Sequence, residues 1–245
     1  MIKKIFILLF LVVIAVYLII AVTSFNNRSE TAVCKGMELV INDSIDYGFI
    51  TKNQVIKLLN TQGISPIGKE MGSISTRDIE EQLELHPLIE NAECYRTPSN
   101  KIGIEITQRL PILRIMANNG DDYFLDEKGE IMPIANNAAN VAVVTGSVER
   151  SFASKELYDL GLFMQQNEFW KAQILQINVT PSKELEIVPR VGDHIIFLGK
   201  PGNYEEKFEK LETFYKKALN QIGWNKYSRI SLEFDNQIIC TKKEK

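Results

Sequence analysis

Residues 101–117 have the sequence KIGIEITQRLPILRIMA, which holds two strand patterns separated by a short polar break. In Lys101–Gln108 three isoleucines alternate with smaller or polar residues, and this period of two predicts a strand with one buried face. A second strand is predicted over Ile112–Ala117, and from Pro111 onward the chain changes to a series of short strands. The break therefore marks the border between two domains.

Upstream of the break, the apolar periods predict a small α+β domain. Thr51 is a candidate N-cap of its first helix, and Pro87 stops its second helix. The predicted elements are a strand over Glu38–Asn42, helices over Phe49–Leu59 and Ser75–Leu85, and strands over Ile89–Arg96 and Lys101–Gln108. Two helices on one face of three strands make a β-α-α-β-β domain.

Downstream of the break, the pattern predicts a mixed, mainly antiparallel β-sheet with packed helices. Strands are predicted over Ile112–Ala117, Tyr123–Asp126, Ile131–Ile134, Val141–Thr145, Ile174–Thr180, Leu185–Pro189 and His194–Leu198, and helices over Ser154–Gln166 and Tyr204–Leu219. Two last strands, Ser228–Phe234 and Gln237–Thr241, are expected to form a hairpin through Asp235 and Asn236. The fold class of the folded part is therefore α+β.

The N-terminus predicts a single transmembrane helix. Ile5–Val22 is an uncharged apolar run that follows Lys3 and Lys4. A helix of this length reaches about 27 Å, close to the thickness of the hydrocarbon core of a bilayer. The two lysines predict that residues 1–4 are cytoplasmic and that the bulk of the chain is exported. The alternative is a cleaved signal peptide, although its apolar region is usually shorter and Ala21–Thr23 makes a poor cleavage site.

The composition is that of an ordinary globular protein. The chain has 245 residues, of which 45% are apolar and 24% charged, with a formal net charge of −3. Because no basic stripe is interleaved with aromatic residues, nucleic-acid binding is not expected. The three cysteines, Cys34, Cys94 and Cys240, are too few and too far apart for a disulfide framework or a zinc site. We expect them to be small, buried or half-buried hydrophobic residues.

The sequence contains no recognisable catalytic motif. Its two histidines, His86 and His194, belong to no zinc or nucleophile pattern. The segment Gly199–Gly202 lacks the spacing of a phosphate loop, and its proline removes a backbone donor. The sequence therefore predicts no enzyme activity, no cofactor and no metal. An anchored periplasmic enzyme is the alternative, and it would need a cleft around Asp193 and His194.

An ordered set of short motifs runs along the chain. They are QRLPILRI at Gln108–Ile115, YFLDEKG at Tyr123–Gly129 followed by Pro133, Leu198-Gly199, a helix with Lys207, Leu211 and Tyr215, and the final ISLEFDNQII at Ile230–Ile239. Together with the anchor, this order resembles the bacterial cell-division family FtsQ/DivIB over residues 3–241. Two features depart from the family: only residues 1–4 precede the apolar run, and Glu233 stands where the family often has arginine.

The resemblance implies a non-enzymatic scaffold of the divisome that helps control septal peptidoglycan synthesis. The expected parts are a cytoplasmic stub at 1–4, a span at 5–22, a linker at 23–35, a POTRA-like domain at 36–108, a β domain at 109–241 and a charged tail at 242–245. The joint between the two domains is expected at Gln108, Arg109, Pro111 and Arg114. The expected location is the cell inner (cytoplasmic) membrane at the division septum, with the N-terminus cytoplasmic and the bulk periplasmic.

The resemblance also implies FtsB-like and FtsL-like single-span division proteins as partners, besides the lipid bilayer at residues 5–22. If the last strand pairs on one side only, its open edge can template a strand of a partner. The residues expected to form this site are Ile230, Leu232, Phe234, Gln237, Ile238, Ile239 and Cys240. The alternative is that these side chains are merely core. Another POTRA-containing exported scaffold, of an assembly or secretion system, is the competing class of protein.

Overall fold

The computed structural model describes residues 10–20, 30–42, 48–134 and 139–243. The chain divides into two compact units, an N-terminal unit over Met1–Gln108 and a C-terminal unit over Arg109–Lys245. Each unit has its own sheet and its own buried apolar cluster.

Residues 10–20 are helical, and they form the described part of the predicted span at 5–22. The other residues of that span, and most of the predicted linker, lie outside the described residues. Among the residues that the structure describes, no helix is both long enough and apolar enough to cross a bilayer. The transmembrane helix therefore stays a prediction.

The N-terminal unit has the predicted order of strand, helix, helix, strand and strand. Its elements are β1 (Met37–Asn42), α1 (Lys52–Thr61), a 3-10 turn (Met71–Ser73), α2 (Thr76–Glu84), β2 (Ile89–Arg96) and β3 (Ile102–Gln108). The three strands lie in the order β1-β3-β2, where β3 pairs with β1 in parallel and with β2 antiparallel.

Each of the two helices of this unit begins after a residue whose side chain accepts a hydrogen bond from a backbone N–H of the first turn. The Thr51 hydroxyl accepts a hydrogen bond from the Gln54 N–H (3.3 Å), and the Gln54 side chain accepts one from the Thr51 N–H (2.7 Å). This capping box confirms Thr51 as an N-cap. The Ser75 hydroxyl caps α2 in the same way by accepting from the Asp78 N–H.

The core of the N-terminal unit lies between the helices and the sheet. The isoleucines of β3 are fully buried, so the face predicted from their alternation is confirmed. The helices supply the other side of the core with Val55, Leu59, Ile79 and Leu83.

The C-terminal unit is built on one large mixed sheet. Its strands are β4 (Pro111–Ala117), β5 (Asp122–Asp126), β6 (Ile131–Met132), β7 (Ala142–Gly146), β8 (Ile174–Val179), β9 (Leu185–Pro189), β10 (Ile195–Gly199), β11 (Tyr227–Ser231) and β12 (Ile239–Lys242). They lie in the order β12-β11-β10-β9-β8-β7-β4-β5-β6. The pairs β4–β7, β7–β8 and β10–β11 are parallel and the others antiparallel, as expected for a mixed, mainly antiparallel sheet.

The longer helical segments of this unit pack their apolar side chains against the sheet. They are α3 (Arg150–Phe152), a π-helical turn (Ala153–Leu157), α4 (Tyr158–Gln166), α5 (Glu168–Gln173), α6 (Tyr204–Phe214), a second π-helical turn (Tyr215–Leu219) and α7 (Asn220–Ile222). The sequence did not predict α5, which is capped by the Asn167 side chain and buries Trp170. Trp170 lies edge-on to Phe208 of α6 and completes the core.

The predicted terminal hairpin is wrong in its connection. Ser231 pairs with Ile239, so residues 232–238 join the two strands, rather than Asp235 and Asn236 alone. The cause lies at Leu232, whose side chain is fully buried and whose N–H donates to the Phe197 carbonyl of β10 at 2.8 Å. The chain therefore stays beside β10 for one more residue before it turns back.

Candidate functional site

Strand β12 is one edge of the large sheet, because it pairs with β11 alone. An edge strand presents one row of backbone N–H and C=O groups that another chain can bind. The opposite edge, β6, consists of only Ile131 and Met132. A strand so short offers little backbone to a partner, so β12 is the better candidate in the described part of this sheet.

The register identifies which backbone groups of β12 point outward. The Lys243 N–H donates to the Lys226 carbonyl on the β11 side at 3.2 Å. Because successive residues of a strand direct these groups to opposite sides, Thr241 and Ile239 face β11, whereas Lys242 and Cys240 face outward. Within the described residues, no side chain is hydrogen-bonded to the N–H of Cys240 or Lys242.

The seven residues expected at the site differ in exposure. The buried pair is Ile230 and Leu232, the half-buried pair is Ile238 and Cys240, and the exposed residues are Phe234, Gln237 and Ile239. The side chains of Ile230 and Leu232 belong to the core and are not exposed to a partner. Phe234 and Ile239 are 46% and 45% exposed and remain available.

The loop that leads into β12 is held by a lysine of α6. The Lys210 ammonium donates to the carbonyls of Phe234 (3.3 Å) and Asp235 (2.6 Å). It also lies 3.6 Å from a carboxylate oxygen of Glu206, one helical turn earlier. This contact holds the loop four residues before β12 begins at Ile239.

A second lysine of α6 holds the loop that follows β10. The buried Lys207 ammonium donates to the carbonyls of Leu198 (2.9 Å) and Lys200 (3.0 Å), and burial lowers the pKa of this amine. The role of Lys207 could have been found in the sequence. It lies four residues before Leu211 on the apolar stripe of the helix, where a charged residue needs a partner.

The open face of the sheet beside β12 carries one ordered cation. The Arg229 guanidinium lies 4.2 Å from the centre of the Phe197 ring and 3.0 Å from a Glu186 carboxylate oxygen. Three neighbouring strands are thus tied together on the face opposite the core. Cys240 lies on the other face, where burial raises the pKa of its thiol, so this group is not a ready nucleophile at neutral pH.

The residues expected at the domain joint make contacts inside their own units. The Gln108 side-chain oxygen accepts from the buried N–H of Ile50 at 2.8 Å in the N-terminal unit. Arg109, the first residue of the C-terminal unit, binds the buried Asp126 carboxylate at 2.6 Å. Pro111 begins β4, and Arg114 forms a bidentate ion pair with Asp122 on the neighbouring strand.

The contacts of His194 do not form an active site. Its side chain is 1% exposed, and Nε2 lies 2.8 Å from the Tyr215 hydroxyl. Burial lowers the pKa of the imidazole, which packs against Tyr215 and Trp224. Asp193 turns to the Lys243 ammonium at 2.9 Å instead of the histidine. No substrate can reach this ring.

A groove of about 640 Å³ lies between α6 and the loop before β12. Phe214, Ala218 and Ile238 are among the residues that line it, and neither histidine nor cysteine is. In the part of the chain covered by the structure, no cluster of three or more histidine, cysteine or carboxylate side chains could hold a metal ion. All three cysteines are free; Cys34 is buried, and Cys94 and Cys240 are half-buried, as predicted.

Comparison with protein families gives a match to each unit. The family described as "FtsQ/DivIB, C-terminal related" matches residues 110–241, which is more than half of the chain and includes every strand from β4 to β11 and all but the last residue of β12. The chain belongs to the FtsQ/DivIB family. The family described as "POTRA-like domain" matches residues 32–107 and so covers the β-α-α-β-β unit. No curated protein matches the sequence.

Membership of the FtsQ/DivIB family suggests a cell-division scaffold. Both matched domain types belong to families of scaffolds without catalysis. The two matches leave only Arg109 and Gln108 unassigned between them, at the border of the two compact units. The edge strand β12 lies almost wholly within the FtsQ/DivIB match.

Proposed function

We propose that this FtsQ/DivIB protein is a non-enzymatic, membrane-anchored scaffold of the divisome. It recruits other single-span division proteins through its exported domains and so helps control septal peptidoglycan synthesis. The observation that carries the proposal is the open edge of β12, where the backbone groups of Cys240 and Lys242 point away from the sheet.

The proposed partners are FtsB-like and FtsL-like proteins, one of which adds a strand to β12. The added strand would satisfy the outward N–H and C=O groups, as in other complexes formed by β-strand addition. The exposed Ile239 and Phe234 would lie against side chains of the added strand. The hydrogen bonds from Lys210 to the carbonyls of Phe234 and Asp235 hold the loop before β12 in place before the partner binds. Preorganisation of this kind reduces the entropic cost of binding.

The proposed anchor is the apolar run Ile5–Val22, whose residues 10–20 are helical. A single pass with the N-terminus in the cytoplasm would place both folded units in the periplasm, at the septum of the dividing cell. Confinement to one membrane raises the effective concentration of a scaffold for partners that are anchored beside it. A modest affinity at the β12 edge would then be sufficient for assembly.

The test is to purify the full-length chain, in mild detergent, from the membranes of its own host and to identify the proteins that accompany it. We expect short single-span proteins with coiled-coil segments. They should be lost from Cys240→Pro, which removes an outward N–H, and retained by Cys240→Ala, which keeps it. Recovery of outer-membrane barrel components would favour the assembly or secretion scaffold instead. Equal recovery with both variants would contradict strand addition at this edge.

A further inference from the structure

The N-terminal unit also has an edge strand, and two of its outward N–H groups are already occupied. Strand β2 lies at one end of the three-stranded sheet and pairs only with β3. The N–H of Cys94 donates to a carboxylate oxygen of Glu80 at 2.6 Å. The N–H of Ala92 donates to a carboxylate oxygen of Glu84 at 3.2 Å. Two glutamates of α2 therefore cap two central outward donors of β2.

The spacing of the two glutamates explains how they reach the strand. Residues four apart lie on the same side of a helix, one turn above the other. The N–H groups of Ala92 and Cys94 are two residues apart and therefore point to the same side of β2. One turn of helix, about 5.4 Å, is close to the length of two strand residues, about 6.8 Å. The carboxylates thus match the donors one to one.

Two neighbouring groups, the Cys94 thiol and the Glu81 carboxylate, show which glutamates of α2 face β2. Burial raises the pKa of the Cys94 thiol to about 12, and the charges of Glu80 and Glu84 contribute to this shift. The adjacent Glu81 points elsewhere and pairs with Arg77 in solvent at 2.7 Å. Of the three glutamates of α2, Glu80 and Glu84 bind the backbone of β2 and Glu81 does not.

We propose that β2 is a masked strand-addition edge, which Glu80 and Glu84 keep closed against the β2 strand of a second copy of this chain. The strand has eight residues, long enough to form a ladder with a neighbour. An antiparallel pair with Ala92 opposite Cys94 would join the two capped residues of each copy. The same register places Glu90 opposite Arg96 twice and Glu93 opposite Glu93 once, so two opposite-charge pairs outweigh one like-charge pair.

Capped donors resist this pairing because a carboxylate is a stronger acceptor than a backbone carbonyl. To pair with β2, the strand of the second copy would have to displace both carboxylates from the N–H groups of Ala92 and Cys94. The displaced carboxylates would then lie close to the backbone carbonyl oxygens of the incoming strand. The N-terminal sheet is thereby kept from pairing with itself at this edge, whereas β12 has no such caps among the described residues. This inference is independent of the proposed partner at β12.

The test uses the full-length chain in detergent micelles and compares Glu80→Ala/Glu84→Ala with the matched control Glu81→Ala/Glu70→Ala, whose two glutamates are exposed and lie outside β2. Both doubles remove two negative charges, and alanine at 80 and 84 preserves the helix. Residue-resolved hydrogen exchange should accelerate about tenfold or more at Ala92 and Cys94 in the first double only. Sedimentation should show concentration-dependent dimers of the first double, while the control and the wild type stay monomeric.

A third variant guards against loss of folding. Glu80→Gln/Glu84→Gln keeps an acceptor oxygen but removes the charge, so its exchange at both amides should lie between those of the wild type and the alanine double. Unchanged exchange at Ala92 and Cys94 in the alanine double would show that the glutamates do not protect these amides. Faster exchange without dimers would show that the glutamates do not serve to exclude a second copy of the chain.

Discussion

A proline at Cys240 should weaken partner binding without unfolding the sheet. Proline has no backbone N–H, and at this position the lost N–H points outward from β12 rather than toward β11. The hydrogen bonds between β11 and β12 therefore remain. A proline at the neighbouring Ile239 would instead remove a donor that faces β11, and it would destabilise the strand itself.

The size of the effect follows from the few groups that the edge offers. The outward N–H and C=O groups of Cys240 and Lys242 allow up to about four hydrogen bonds, each worth about 0.5–1.5 kcal/mol net. Proline deletes one of them and leaves a carbonyl of the partner without a donor, which costs about 1–3 kcal/mol more. A total of about 2–4 kcal/mol raises the Kd about 30- to 1000-fold.

The assay is a titration of the full-length protein, held in lipid nanodiscs, with the partner recovered from host membranes. Cys240→Ala serves as the matched control, because it removes the half-buried thiol but keeps the N–H. The free energy of unfolding of each variant, from urea denaturation, checks that the sheet is intact. If Cys240→Pro is as stable as Cys240→Ala and binds the partner with the same Kd, strand addition at β12 is wrong.

Three further outcomes follow from the contacts of the C-terminal unit. Lys210→Met should speed hydrogen exchange in residues 234–239 and weaken partner binding about 5- to 30-fold, because two hydrogen bonds from a charged group are lost. The control Lys217→Met, at an exposed lysine, should change neither the exchange nor the binding. Arg109→Met should lower the free energy of unfolding by about 2–4 kcal/mol in urea denaturation, because the buried carboxylate of Asp126 loses its cation. Because the pKa of His194 is lowered in the folded chain, the unfolded chain binds more protons than the folded chain below about pH 6.5. The free energy of unfolding should therefore fall, as the pH is lowered, by up to about 1.4 kcal/mol per pH unit. That loss should be smaller in His194→Gln, measured by urea denaturation at pH 7.5 and 5.5.

The regular elements could be predicted from the sequence because their signals are local. The alternating isoleucines of β3 and the capping pair at Thr51 and Gln54 each act within a few residues. Helix α5 was not predicted, because it is only six residues long. Six residues make little more than one and a half helical turns, which is too short for a clear period. Its stability comes from the Asn167 cap and from Trp170 in the core. Only the tertiary structure shows the second of these.

The functional site was predicted less completely than the fold. The sequence did not show whether β12 is an edge, because that depends on which strand lies on the other side of β11. This strand is β10, whose Ile195 pairs with Arg229 of β11, 34 residues later in the chain. The long connection before β12 arises from the same cause, since Leu232 is drawn into the core beside Phe197. Carbonyl contacts such as that of Lys210 join residues distant in sequence, and no short motif encodes them.

The central claim is that a partner strand binds the outward backbone groups of β12, and hydrogen exchange at single residues tests it most directly. The amides of Cys240 and Lys242 are measured in the full-length protein with and without the bound partner. Strand addition predicts that both amides exchange at least about tenfold more slowly in the complex, while Ile239 and Thr241, already bonded to β11, change little. Exchange at Cys240 and Lys242 that stays as fast in the complex as in the protein alone would contradict it.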